Sequence, residues 1–250
     1  MFADLNVVWP SLGVKDSTIV NTVKMLEKLG YAAVALNYQF DGKLQNVIKN
    51  PIPAILYPEQ KIKIYSRITL TIESTPQNKI LHNATKEFDI LALRPVGERL
   101  LQQTAGDLEF DILSFDFSQR LPFYLKHTIM GLAVSRGIGI EISYASGLRE
   151  ASSRRNLVTN ASSLVRATRG RGILISSETR SPLECRAAFD VINLATFWDL
   201  KQDQARYAIS GFCRSVILHA ETRRNTYRSS VKLVDEDEDT TSNKRPKVAA

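Results

Sequence analysis

Hydrophobic and polar residues alternate with period two at the start of the chain. The stretch Phe2-Ala3-Asp4-Leu5-Asn6-Val7-Val8 therefore predicts a strand, with Asp4 and Asn6 on one face. The spacing then changes. Ile19, Val20, Val23, Leu26 and Leu29 form a helical stripe that Asp16-Ser17-Thr18 can cap and Gly30 can end. Tyr31–Asn37 is an apolar run of the buried-strand type. After a loop holding Pro51, Pro53 and Pro58, residues 62–72 alternate again, with Ile62, Ile64, Ser66, Ile68, Leu70 and Ile72 on one side. The same reading predicts a helix over Gln77–Glu87 after Pro76, a strand over Asp89–Leu93, a helix over Gly97–Leu108 and a strand over Phe110–Phe115. A helix within Leu121–Arg136 starts near Tyr124. A strand over Gly139–Ser143, a long helix over Ala151–Thr168 and a seventh strand over Ile173–Ser176 follow. From there on only helical patterns remain, over Leu183–Leu200, Lys201–Ser210 and Cys213–Arg224.

Regular alternation of strands and helices implies parallel strands joined by crossover helices. About seven short apolar strands suit a barrel better than an open sheet. No glycine-rich phosphate fingerprint opens any of the helices, which argues against a dinucleotide fold. The expected architecture is α/β and TIM-barrel-like, with about seven parallel strands, surrounding helices and a helical C-terminal closure. It occupies residues 1–228. Residues 229–250 are expected to be a disordered tail, because Asp235 to Asp239 are all acidic and no apolar periodicity continues. Lys244, Arg245 and Lys247 in that tail have the pattern of a nuclear localisation signal.

Composition narrows the chemistry. No apolar run reaches the ~18 residues of a membrane span, and the N-terminus lacks the pattern of a secretory signal. Two cysteines, Cys185 and Cys213, do not make a disulfide framework or a cysteine-based zinc site. His82, His127 and His219 stand far apart, so neither a metal nor another cofactor is expected. The net charge is +7 over 250 residues. The last twenty residues contribute 4 − 5 = −1, which leaves about +8 on the body. Seven arginines fall between Arg149 and Arg180, against Glu150 and Glu178. Arginine binds phosphate bidentately, so a polyanionic partner is one reading of this surface and a merely basic, soluble surface is the other.

The strand ends, where barrel enzymes keep their chemistry, offer Asn37, Arg94, Asp116, Tyr144, Ser176 and Ser177. None is histidine and none supplies a base for a serine nucleophile. Asp4 and Asn6 are accordingly read as structural polar groups, although a catalytic or metal-binding pair remains the competing reading. Glu184 and Arg186 beside Cys185 suit a helix-terminal ion pair or an RNA contact. In the last helix His219 and Arg223 lie four apart on one face. Arg223 and Arg224 complement the helix dipole there, whereas Arg214 sits at its unfavourable end and calls for a partner or an acidic side chain.

Several stretches carry a family resemblance: "FADLN" at the start, "LGYAAVALN" at 29–37, "RLPFYLK" at 120–126, "ISS" at 175–177, "PLECRAAFDVINLATFWDL" at 182–200 and "CRSVILHAETRR" at 213–224. From Phe2 to about Arg224 the chain resembles the TIM-barrel-like protein subunit of nuclear ribonuclease P and ribonuclease MRP. That family is related to archaeal ribonuclease P subunits and more distantly to polymerase-and-histidinol-phosphatase-type metallohydrolases. The terminal helix departs from the family pattern by reading His219-Ala220-Glu221, with alanine where glycine is usual, a change that favours helix.

The resemblance implies a non-catalytic subunit. The RNA performs phosphodiester hydrolysis with its own metal ions in precursor-tRNA 5′ maturation and, in the MRP particle, in rRNA-precursor cleavage. Implied partners are the ribonuclease P and MRP RNAs, other protein subunits (especially a small RRM-like one) and, indirectly, precursor tRNA. No membrane is involved, and the implied location is the nucleus and nucleolus. Electrostatics nominates Arg154, Arg155, Arg166, Arg169 and Arg171 for RNA contact, and the family pattern nominates Arg186, Arg214 and Arg223. Asp190 and His219 join Asp4 and Asn6 as expected structural polar residues. Two alternatives stay open: a metal-dependent phosphoesterase that needs Asp4, and a scaffold that binds only protein.

Overall fold

The computed structural model describes residues 1–10, 17–41, 48–53, 55–74, 78–227 and 231–232. Seven strands lie side by side in chain order, each parallel to the one before. They are β1 (Phe2–Val8), β2 (Tyr31–Phe40), β3 (Lys63–Ile72), β4 (Ile90–Pro95), β5 (Ile112–Leu113), β6 (Gly139–Ser143) and β7 (Ile173–Ser176). The outer layer holds α1 (Ser17–Lys28), α2 (Asn78–Glu87), α3 (Glu98–Asp107), α4 (His127–Ser135), the short α5 (Ser146–Arg149) and α6 (Ala151–Thr168). Three further helices follow β7: α7 (Ala188–Thr196), α8 (Gln202–Ala208) and α9 (Gly211–Asn225). A two-residue antiparallel pair, Thr226–Tyr227 with Val231–Lys232, crosses the expected boundary between barrel and tail. The helix cap at Asp16, the start at Pro76 and Gln77, and the signal Lys244, Arg245 and Lys247 lie outside the described residues.

Closure of the barrel is made by loops rather than by a β1–β7 ladder. At the C-terminal end of the strands, Glu178 N donates to Asn6 O at 2.7 Å and Val8 N donates to Thr179 O at 3.0 Å. At the opposite end Ala3 N donates to Ile209 O, just before α9. Both ends of the seam thus satisfy the edge of β1 with backbone that comes after β7.

Both faces of the strands are buried. The outward face, with Ile68, Leu70, Leu91, Leu93 and Ile140, packs under the helices together with the fully buried Trp198. The inward face is built of small side chains at the foot, including Ala3, Ala33, Ala35 and Ala92. Into it α9 inserts Cys213, Val216, Ile217 and Ala220. A Cβ on Gly139 would lie 3.0 Å from Val216 Cγ2 and 3.3 Å from Phe212, so glycine there lets α9 approach. Helical closure of the C-terminus is therefore a plug in the foot of the barrel.

Two expectations change. The expected helix over Leu183–Leu200 is a 3-10 turn at Pro182–Glu184, an extended link, and then α7. The link is held open by two hydroxyls: Tyr31 Oη donates to Arg186 O, and Tyr144 Oη accepts from Arg186 N. Asp4 and Asn6 also do not share a face. Asp4 pairs with Val34 and Val7 with Leu36, so β1 carries one extra residue between them. That bulge leaves both Leu5 and Asn6 facing inward while Asp4 turns to the seam with β7.

Candidate functional site

Where a barrel hydrolase would hold its reactive groups, the interior contains a closed polar network. Arg67 on β3 and Glu141 on β6 are both fully buried and pair bidentately, at 2.6 Å for each nitrogen–oxygen contact. Arg67 Nη1 also donates to Leu5 O at 2.7 Å, and its Nε donates to Thr69 Oγ1. Glu141 Oε1 accepts further bonds from Asn6 Nδ2 and Ser176 Oγ. Asn37 Nδ2 donates to Asn6 Oδ1, and Thr69 Oγ1 donates to Asn37 Oδ1, which ties β1, β2, β3, β6 and β7 together. Burial opposes the charge on Glu141, but the guanidinium outweighs it and holds the carboxyl at about 2.

A second layer covers this one. Glu178, in the left-handed region at φ 55°, turns its carboxylate back over the mouth. Gln39 Nε2 and Arg94 Nη2 both donate to it, at 2.8 and 2.9 Å. Arg149 donates to the Glu178 carbonyl and pairs with Glu184. Glu184 in turn accepts from Arg180 N, which fixes the loop.

The donors at the mouth are already engaged with one another. The sole interior carboxylate of the network already accepts from Arg67 on both oxygens, and its remaining neighbours are amides and hydroxyls. Among the described residues no group of three or more His, Cys, Asp or Glu side chains converges. The residues present do not fit a metal ion. Asp4 stands apart from this network. Its Oδ1 accepts from the amides of Asn6 and Ser177, both at 3.1 Å, and its Oδ2 meets no donor among the described residues. Burial pushes this carboxyl up to about 6.

The foot has its own buried acid. Asp111 accepts from Leu91 N, from Arg223 at 2.9 and 2.7 Å, and lies 2.9 Å from His219 Nδ1. Burial raises this carboxyl, but the bonds from His219 and Arg223 more than offset it and leave it below its ordinary value. Arg224 reaches Asp89, which also binds Ser66. His219 thus faces Asp111 within the foot cluster. Arg223, nominated for RNA contact, has its side chain only 8% exposed and paired with Asp111.

The other nominated residues separate. Arg155, Arg166, Arg169 and Arg171 are exposed on α6 and the turn after it. Arg154 is exposed too, with Nε donating to Gly147 O. Arg186 is half-buried and donates to Leu183 O and Cys185 O. Arg214 is exposed near the start of α9 with no carboxylate beside it among the described residues, so the acidic side chain its position called for is not supplied there. Asp190 is exposed in the first turn of α7, outside both polar networks, where a carboxylate complements the helix dipole.

Arg67, Glu141 and Asp111 were missed in the sequence. The available signal was a single charged residue inside an apolar strand, as Glu141 is within Ile138–Ile142.

The fold and its interior define a class: a seven-stranded α/β barrel, plugged at the foot by its last helix and filled at the mouth by its own ion pair. The family model described as RNase P subunit p30 matches residues 1–225, and the chain belongs to that family. It is 80% identical over 229 residues to the probable ribonuclease P protein subunit 3 of Schizosaccharomyces pombe, covering 92% of this chain and 97% of that one. It is 33% identical to the ribonuclease P/MRP protein subunit RPP1 of Saccharomyces cerevisiae, over 92% of this chain and 84% of that one. Among solved structures, a chain of an archaeal ribonuclease P with mature tRNA, seen by cryo-EM, superposes with a TM-score of 0.66. The two chains share 15% identity, and the match covers 94% of this chain and 99% of the other, a likeness of fold.

Proposed function

We propose that this chain is a non-catalytic protein subunit of ribonuclease P and ribonuclease MRP. In these particles it stabilises the catalytic RNA for precursor-tRNA 5′ processing and rRNA-precursor cleavage. The observation that carries the non-catalytic part is the Arg67–Glu141 pair, which fills the place where a barrel enzyme would present reactive groups. RNA is met by the exposed arginines Arg154, Arg155, Arg166, Arg169 and Arg171, with Arg214 on the last helix. Arg186 contributes through whatever part of its guanidinium its two carbonyls leave free. Phe189 in α7 and Phe197 just past its end, 63% and 72% exposed, suit a protein partner such as a small RRM-like subunit. Import to the nucleus and nucleolus rests on Lys244, Arg245 and Lys247.

Affinity purification of the tagged chain followed by sequencing of bound RNA tests the assignment. A ribonuclease P or MRP RNA is expected, and its absence sinks the proposal. Phosphate-ester turnover by the purified chain with divalent metal, abolished by Asp4→Ala, would restore the enzyme reading.

A further inference from the structure

The helix α6 is unusual for a surface helix. Its 18 residues include Arg154, Arg155 and Arg166 and no acidic residue. Solvent-facing helices ordinarily mix both signs, so an acid-free one marks a surface kept clear of repulsion toward an anion. Between Arg155 and Arg166 the exposed positions carry short side chains: Val158, Thr159 and Ser163. The hydroxyls of Thr159 and Ser163 turn back onto the carbonyls of Arg155 and Thr159, at 3.0 and 2.8 Å, which keeps the face low. Arg155 and Arg166 are eleven positions apart, about three helical turns and about 16 Å along the axis, so they share one stripe.

The far end of the stripe is fixed by α8. Gln204 Nε2 donates to the carbonyl of Arg169, itself left-handed at φ 55°. That contact brings the segment 199–204, with Lys201, beside the last turn of α6. There Arg166 lies 3.6 Å from Asp199, with both side chains more than half exposed. Such a pair is weakly held and readily exchanged.

Resting on the subunit reading above, we infer that this face binds RNA through backbone phosphates without base readout. Arg155 grips at one end, and Arg166, Arg169 and Lys201 grip at the other. Asp199 is the internal counter-charge that phosphate displaces from Arg166. A protein partner fits this face less well, because protein interfaces draw their affinity from buried aromatic anchors and the stripe has none. Phosphate contacts fix position and carry no sequence information, so recognition here is of RNA shape.

The test uses the full-length chain and two labelled RNA stem-loops of unrelated stem sequence, titrated across salt, with circular dichroism confirming the fold of each variant. The triple variant Arg155→Gln, Arg166→Gln, Arg169→Gln should weaken binding by more than tenfold at low salt. It should also lower the slope of log affinity against log salt by about two, at roughly 0.7–0.9 per lost contact. Asp199→Asn should tighten binding by about two- to fivefold, because it frees Arg166 while asparagine still accepts the left-handed backbone. Equal affinity of the triple variant and the wild type overturns the surface, as does a wild type that binds neither stem-loop. A tenfold preference for one stem overturns the backbone reading, and no gain in Asp199→Asn overturns the counter-charge. Competition by poly-glutamate as strong as by RNA would assign the face to an acidic protein instead. Recovery of a ribonuclease P RNA from cells by the wild-type chain tests the parent reading separately, and it can succeed while this surface fails.

Discussion

The mouth and the foot of the barrel both centre on a buried carboxylate held by an arginine, yet they solve different problems. At the mouth, Arg67 and Glu141 sit on strands, both ions are fully enclosed, and amides and hydroxyls from three other strands complete the set. At the foot, Asp111 belongs to the loop before β5 but Arg223 and His219 come from α9. His219 remains partly exposed, and Arg223 Nη1 finds no acceptor among the described residues. The mouth pair locks strands to one another, whereas the foot cluster fastens a separate helix to the barrel. Polarity inside this molecule therefore marks assembly points, whereas Arg154, Arg155 and Arg166 stand exposed on the outer surface of α6.

The sharpest way to break the comparison is Arg67→Met. It strands Glu141 in the interior, with an expected loss of about 3–5 kcal/mol in urea unfolding. The double variant Arg67→Met, Glu141→Leu should recover much of that loss. If it does not, the pair contributes more than mutual compensation.

At the foot, Arg223→Gln should cost less, about 2–3 kcal/mol, because Asp111 keeps its bonds from Leu91 N and His219. Faster amide exchange confined to α9 is the signature that separates a docking contact from a global lock.

Acid titration gives a smaller effect with opposite signs for two acids. Asp4 has its pKa raised from 3.8 to about 6, so its charge destabilises the fold near neutrality, and stability rises as pH falls from about 6 to about 4. Asp4→Asn should remove that slope and add on the order of 2 kcal/mol at pH 7. Glu141, lowered from 4.5 to about 2, contributes stability that is present above about 4.5 and is lost as pH falls toward 2. Unfolding curves of wild type and Asp4→Asn at several pH values would settle the sign. Smallest of all, Arg149→Gln removes a partly exposed pair with Glu184 and should cost under about 1 kcal/mol, while increasing protease cleavage near residues 178–184.

Much of the fold was legible because it is local. The stripe Ile19, Val23, Leu26 needs only helical spacing, and the acid-free run of α6 lies within one element. The polar face of β3 was harder. Alternation correctly marked Ile68, Leu70 and Ile72 as buried, but a barrel also buries the other face, and Arg67 finds Glu141 74 positions away. No window along the chain contains both ions. The bulge that separates Asp4 from Asn6 arises where β1 closes against residues 178 and 179, and the break at 185–187 is enforced by Tyr31 and Tyr144. Each of these depends on contacts between residues more than forty positions apart.

The seam has a consequence for how the chain is made. β1 is synthesised long before Glu178, Thr179 and Ile209, whose backbone bonds one of its edges. Through synthesis of everything between, β1 has an open edge and the foot of the barrel has no plug. Strands in that condition recruit neighbours of the wrong kind, and long-range closure of this sort is slow. A chain truncated before α9 is expected to keep that edge open and the foot unplugged, and the solubility of residues 1–210 expressed alone checks this.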